Sequence, residues 1–568
     1  MFKSKINWWL GVILVLGLLI RIYGLNTLPY GADADEVSWG YNAYSILKTG
    51  RDEYGVRFPL IFKAFGDQKL PVFTYAVVPF VKVFGLNNFA VRFPGVAIGT
   101  LLIGLIFLLL RELKFTKEIS LLGSLITALS PWTIFLSRIF GYDSATGLFF
   151  YTLGIYLALK GIRKNFRKFL IFSALSFALT WYSYIAYRLI TPLTLGLLVL
   201  VFLRRKFWPT KLGIQMLGVF FITIIPLLVS TLSGSANNRL NQVSKTPIMG
   251  MILEIDENRY FCTNYLSRPL CNILDNKIEH FTRTVVYRYI QTFSPNYLFM
   301  QGEAGYKFLN VDHYGLFYFM LLPFYLLGMG YYIHRLFIKK ASSQDLLLLG
   351  GLLITPLAAL LVGDPQKVRL SALFPFLIIV IVQGISLFGK WIPYDSLKKN
   401  INILTALMII FNTGIFIFDF LIIHLHKEEF YYRGHDIELM RFLKSEGKNK
   451  EVYIKSVGEP IIFYAYVDQT DPEYFQKNVQ REPVDELGYS HATDLRNIHK
   501  ANLDLQKIAC KLHLEKKNGL FVTNENLVNP DFFKKNIRTI SSENNVHQYH
   551  YIYDLKDLNS KAFDCLNQ

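Results

Sequence analysis

The stretch KLPVFTYAVVPFVKVFGL, residues 69–86, decides how the whole chain is threaded. It is apolar and close to the roughly 20 residues that cross a bilayer as a helix. It also carries Pro71, Pro79 and Lys82. Counted as a span, it places Arg111, Lys114 and Lys117 outside and inverts everything downstream. Left on the outer face as an interfacial or half-buried helix, it lets all the basic clusters fall on one side.

Those clusters are Lys3/Lys5, Arg111/Lys114/Lys117, Lys160–Lys168, Arg204/Arg205/Lys206/Lys211, Arg335/Lys339/Lys340 and Lys390/Lys398/Lys399. Holding them inside sets the spans at about 6–25, 92–110, 118–136, 142–160, 168–186, 188–203, 212–232, 313–334, 345–362, 369–388 and 400–424. The expected fold is an all-α polytopic membrane protein with about eleven transmembrane helices plus juxtamembrane helices. The N-terminus, MFKSKINWWLGVILVLGLLIRIYGL, has no small-residue cleavage site and reads as an uncleaved first helix with its start in the cytoplasm. Residues 36–48 suggest a second surface helix, with Trp39, Ala43, Ile46 and Leu47 forming one apolar stripe.

Composition agrees. The chain is 52% hydrophobic and 15% aromatic, too apolar for a soluble protein of 568 residues. Its formal charge of +18 resides mostly in short clusters between apolar runs, which speaks for membrane orientation and against nucleic acid. Residues 1–425 form the membrane domain, with outer loops at 26–91 and 233–312. Residues 426–568 are charged and carry short β-like runs at 451–456, 519–523 and 550–555, so an extracytoplasmic α/β domain is expected there. The four cysteines, Cys262, Cys271, Cys510 and Cys565, all lie in segments assigned outside. Two disulfides are expected, most simply Cys262–Cys271 and Cys510–Cys565, although three pairings are formally open. No metal-ligand spacing stands out, and metal dependence is not readable.

The first outer loop opens with GADADEVSWGYNAY, residues 31–44, which sets Asp33, Asp35 and Glu36 beside the membrane surface. Arg138 lies at the outer end of the third span, and Lys367 and Arg369 lie between the ninth and tenth. Sugar transfer from a lipid phosphate needs one base for the acceptor hydroxyl and positive charge for the departing phosphate. A glycosidase instead needs two carboxylates across the bond. One acid facing several cations suits the transferase; ordinary interfacial snorkelling is the competing explanation for each cation alone.

The acidic pair after the first span, with DEVSWGYNAYSILKTGRDEYG, FGDQKLPVFTY, FGLNNFAVRFPG and SPWTIFLSR following in order, resembles the GT-C membrane glycosyltransferases. Within them it is most similar to the protein O-mannosyltransferases (glycosyltransferase family 39) and the aminoarabinose-transferase-like proteins. The resemblance covers roughly residues 1–425. It implies a polyprenyl-phosphate sugar donor, mannose being the first candidate, and an inverting transfer to a hydroxyl of a protein or lipid at the outer face of the cell membrane. It implies Asp35 as catalytic base, Glu36 as its structural or acceptor-side neighbour, and Lys69 and Arg92 at the donor phosphate, beside Arg138, Lys367 and Arg369. Asp33 reads as a solvated neighbour. The family's K-P-P is Lys69-Leu70-Pro71 here, and no β-trefoil insertion is recognisable in 233–312. A transporter is the rival from another class, but its polar residues belong near the midplane.

Overall fold

The computed structural model describes residues 8–64, 67–203, 210–232, 252–303, 307–360, 364–391, 394–485, 489–501, 505–515, 518–528, 533–542 and 547–558. Its chain separates into two compact units, one of residues 1–23 and 95–420, the other of residues 24–94 and 421–568.

The first unit is helical. Among the described residues of the whole chain, six helices are long and apolar enough to cross a membrane, or seven if the bent pair Lys117–Leu129 and Pro131–Arg138 is one span. Three further apolar helices, Trp8–Ile22, Pro71–Phe84 and Tyr187–Phe202, are shorter. Helix Thr210–Leu232 exposes Ile214, Phe221, Ile222, Ile225 and Val229. Helix Asp395–Phe418 exposes Ile403, Leu404, Leu407 and Phe411. Such surfaces need an apolar solvent, and the chain is a multi-pass membrane protein. The stretch expected as a span at 313–334 starts its α-helix only at Leu322, with Pro323 in the first turn and irregular or 3₁₀ backbone before it.

Two details show how apolar helices pack where the hydrophobic effect gives little selectivity. Helices Leu322–Phe337 and Phe374–Trp391 meet through glycine. A Cβ on Gly328 would come within 2.0 Å of the Val380 carbonyl oxygen, and one on Gly384 within 1.8 Å of that of Phe324. The bent pair breaks by 51° at Ser130, because Pro131 has no N–H to continue the ladder. The carbonyls freed there are taken by Arg21, which reaches Ala128 O at 2.8 Å as well as Ser137 Oγ at 2.9 Å and Thr133 Oγ1 at 3.1 Å.

In the second unit, seven strands form one sheet among the described residues, in the order Gln480–Arg481, Ala492–Leu495, Ile498–Lys500, Glu451–Ile454, Gly519–Thr523, Gln548–Asp554, Arg538–Ser541. The central strand Glu451–Ile454 pairs in parallel with both neighbours, and the outer pairings are antiparallel. Parallel strands need crossover helices on the faces. Pro460–Asp468, Pro472–Asn478 and Leu505–Leu514 lie in those connections. All three β-like runs of the sequence are strands in this sheet.

The same unit contains residues 24–94, so the compact grouping divides the chain differently from a cut at 425/426. Helix Ala34–Thr49 packs against helix Pro71–Phe84, with Trp39 edge-on to Phe73 at 4.9 Å. It also packs against Pro460–Asp468 and Pro472–Asn478. Tyr41 meets Phe475 at 5.1 Å, and its hydroxyl donates to Thr470 O at 3.0 Å. The helix is therefore buried almost all round from Glu36 to Ala43, rather than along one stripe. Helix Pro71–Phe84, at 14 residues, rises about 21 Å, short of a hydrocarbon core of roughly 30 Å.

Candidate active site

The acid segment begins a helix. Asp33 is the N-cap: its Oδ1 accepts from Glu36 N at 3.0 Å, and Glu36 Oε2 accepts from Asp33 N at 3.2 Å. This reciprocal pair satisfies two amides that the first turn leaves open. The helix stops at Gly50, whose φ of 68° suits the left-handed cap. Asp33 is thus not a solvated neighbour. It is buried, and burial first, then the charges of Glu36 and Asp35, push its carboxyl well above the usual range.

Glu36 is buried too, and Arg92 closes on it. Arg92 Nε reaches Glu36 Oε1 at 2.7 Å and Nη2 reaches Oε2 at 2.9 Å. The remaining guanidinium donors go to the carbonyls of Leu25 (3.0 Å), Pro29 (3.1 Å) and Gly31 (2.7 Å). A guanidinium has five N–H donors. In Arg92 they all serve this one buried knot, which ties the first turn of helix Ala34–Thr49 to the loop before it. Arg92, expected at the donor phosphate, clamps Glu36 and the backbone before it.

Asp35, between these two, points the other way. Its side chain keeps 40% of its exposure and pairs with Lys69 Nζ at 2.5 Å. Lys69 ends the hairpin of Phe62–Ala64 and Asp67–Lys69, one residue before the N-cap of helix Pro71–Phe84. Pro71, the one proline kept of the K-P-P, opens that helix behind Leu70 at the N-cap. Lys69 also reaches Asp67 Oδ2 at 3.1 Å and lies 5.7 Å from the Trp39 ring centroid. Of the three clustered carboxylates, Asp35 alone is open to solvent.

The other expected cations belong to the first unit. Arg138 is fully buried, and its guanidinium donates to the carbonyls of Arg21 at 2.8 Å and Tyr23 at 2.5 Å. It therefore covers the end of helix Trp8–Ile22, while Arg21 covers the end of Lys117–Leu129. Each arginine caps the helix that carries or precedes the other. Lys367 is also buried, with Nζ 4.0 Å from the Phe135 ring centroid. Its backbone N–H donates to Glu303 Oε1, and its carbonyl accepts from Trp132 Nε1 at 2.9 Å. Arg369 is half-buried nearby in sequence. Burial pushes the Glu303 carboxyl up and the Lys367 ammonium down, while their mutual attraction opposes both shifts. Glu303 Oε2 and the Tyr297 hydroxyl have no hydrogen-bond partner among the described residues. Sequence reasoning missed Glu303, though its position as the lone acid in SPNYLFMQGEAGYKFLN was a usable signal.

Cys262 and Cys271 are joined, with S–S 2.09 Å and Cα–Cα 5.9 Å. Cys565 lies outside the described residues, and the expected Cys510–Cys565 pairing with it.

Comparison with known proteins adds the fold. Residues 68–229 match the model of the family described as dolichyl-phosphate-mannose-protein mannosyltransferase. No curated protein matches the chain. Among solved structures, ArnT from Cupriavidus metallidurans bound to undecaprenyl phosphate is 9% identical with a TM-score of 0.54, over 96% of this chain and 98% of that one. The chain resembles the GT-C membrane glycosyltransferases. The archaeal oligosaccharyltransferase AglB from Archaeoglobus fulgidus, in complex with an inhibitory peptide and a dolichol-phosphate, is 15% identical with a TM-score of 0.51. There the match covers 82% of this chain but spans only 64% of that protein's length.

Proposed function

We propose that the protein is an inverting glycosyltransferase that moves a sugar, mannose as first candidate, from a polyprenyl phosphate to a hydroxyl at the outer membrane face. The observation that carries this reading is the division of labour in the acid segment. Two carboxylates are buried in caps and clamps, and Asp35 is left accessible beside a lysine, in a chain of GT-C fold.

In this reading Asp35 takes the acceptor hydroxyl's proton as its oxygen attacks the anomeric carbon. The polyprenyl phosphate leaves with the bonding pair, and one displacement gives inversion. The phosphate is already a good leaving group, so no second carboxylate is required. Lys69, which pairs with Asp35, is the cation proposed to meet its charge. Arg92 and Arg138 act one step removed, by holding the backbone around them. The N-terminus is proposed to be cytoplasmic, with the C-terminal region and the site outside.

A second reading has the same chemistry with a lipid or glycan acceptor, of the aminoarabinose-transferase type. The end-to-end match to ArnT favours it, since that match includes the C-terminal region. Membranes containing the protein, given radiolabelled polyprenyl-phosphate sugars, separate the readings. Label entering protein supports the first, and label entering extractable lipid supports the second. No transfer from any donor of this class refutes both.

A further inference from the structure

We propose that the C-terminal region holds a divalent transition-metal ion of the zinc type on His435, Asp436 and His550. His435 and Asp436 lie in the first turn of helix Gly434–Glu446, and His550 comes from strand Gln548–Asp554. The sequence gives no warning, because 114 residues separate the two parts. Their candidate ligand atoms all lie within 4.8 Å of one another, and all three side chains are buried. Asp436 Oδ1 stands 3.0 Å from His550 Nε2 and 3.6 Å from His435 Nε2. Tetrahedral ligands at the usual zinc distances stand about 3.4 Å apart.

The surroundings suit a ligand set. His550 Nδ1 is 2.8 Å from Ser456 Oγ, an outer hydrogen bond that directs Nε2 at Asp436 Oδ1, where it hydrogen-bonds at 3.0 Å; an ion bound there would replace the Nε2 proton. Asp436 Oδ2 accepts from Arg433 Nε at 2.6 Å, which fixes the carboxylate and leaves Oδ1 facing the imidazoles. The His435 ring is stacked against Tyr549 at 4.2 Å and Phe430 at 5.4 Å.

A plain hydrogen-bond network is the alternative, and His435 argues against it. Its Nδ1 is buried with no hydrogen-bond partner among the described residues. Its Nε2, at 3.6 Å from Asp436, is beyond hydrogen-bond reach. A buried imidazole so poorly served is unusual, and an ion taking the lone pair of the nitrogen that faces Asp436 would give the ring a polar partner. Two imidazoles and one carboxylate suit zinc better than calcium or magnesium, which call for oxygen ligands.

The ion would fasten helix Gly434–Glu446 to the sheet directly under the acid segment. A Cβ on Gly31 would come within 2.4 Å of Gly434 N, so the loop two residues before Asp33 rests on the residue next to His435. The site is thus a structural support for the first turn of helix Ala34–Thr49, distinct from the transfer chemistry.

The test uses the full-length protein in detergent, stripped with a chelator and then dialysed against Zn²⁺. About one zinc per chain by elemental analysis, a zinc-dependent rise in melting temperature, and loss of both in His550→Ala support the site. A buried variant can fail to fold, so the wild type is also read with Co²⁺, which must give the intense visible bands of tetrahedral coordination and be displaced by Zn²⁺. A wild type that takes up neither ion, or a folded His550→Ala protein that keeps full stoichiometry, overturns the proposal.

Discussion

Asp35–Lys69 and Glu36–Arg92 are two acid–base pairs one residue apart on the acidic side, yet they are physically opposite. Glu36 and Arg92 are both inside, bidentate, with the rest of the guanidinium on backbone carbonyls. Asp35 stays 40% exposed on a lysine that it shares with Asp67. A charge pair sealed from water is costly to leave half-made, because the survivor has neither solvent nor partner. In the other pair Lys69 is buried as well, but Asp35 keeps its contact with water and stays available. The Glu36–Arg92 pair is therefore architecture, and Asp35 is the carboxylate left in reach of solvent.

The largest effect expected from this contrast follows from breaking the sealed pair. Arg92→Ala strands Glu36 in the interior and should cost about 3–5 kcal/mol, with loss of the native second unit by limited proteolysis and of transfer with it. Near-normal stability would erase the distinction. Lys69→Ala should sharpen it. Both carboxylates that Lys69 serves keep some contact with water, so stability should move by less than in Arg92→Ala, while the loss of a charge-assisted contact should cost activity on the order of 1.5–3 kcal/mol. Melting temperature and transfer rate measured on one preparation separate the two quantities.

How much of this was legible in the sequence depends on how far apart the deciding atoms are. The strands at 451–456, 519–523 and 550–555 announced themselves locally, and so did a helix over 36–48. Asp33 was misjudged although D-A-D-E spells a capping box, since a reciprocal cap can be read three residues apart. Which carboxylate is buried was not legible, because Arg92 lies 56 residues from Glu36. Hydropathy placed Arg138 at a helix end, but the carbonyls it covers are 115 and more residues earlier. Charge is visible in a sequence, whereas desolvation depends on the fold.

Smaller effects refine the comparison. Asp33→Ala removes the N-cap and should cost about 0.5–2 kcal/mol in thermal stability, whereas Asp33→Asn keeps a capping oxygen and should be mild. Equal losses in the two would mean that the Asp33 charge, not the cap, is what counts.

A pH slope tests the cost of burying a carboxyl in another part of the same unit. Burial is the main cause that pushes the Glu53 carboxyl up to about 7 from its ordinary 4.5, with Asp52 and Glu459 adding and Arg481 and Asn42 opposing. Between those values the folded state binds more protons than the unfolded one, so stability falls as pH rises through that window. Glu53→Gln should flatten this part of the melting-temperature profile, and an unchanged profile would assign the slope to other groups.

The measurement closest to the central claim is transfer by Asp35→Asn with a labelled polyprenyl-phosphate sugar, alongside donor binding and melting temperature in the same detergent preparation. The substitution keeps size and hydrogen-bonding shape but removes the proton acceptor. Transfer should fall about 10²–10⁴-fold, while donor binding and melting temperature stay near wild type. Turnover close to that of the wild type would show that Asp35 is not the base.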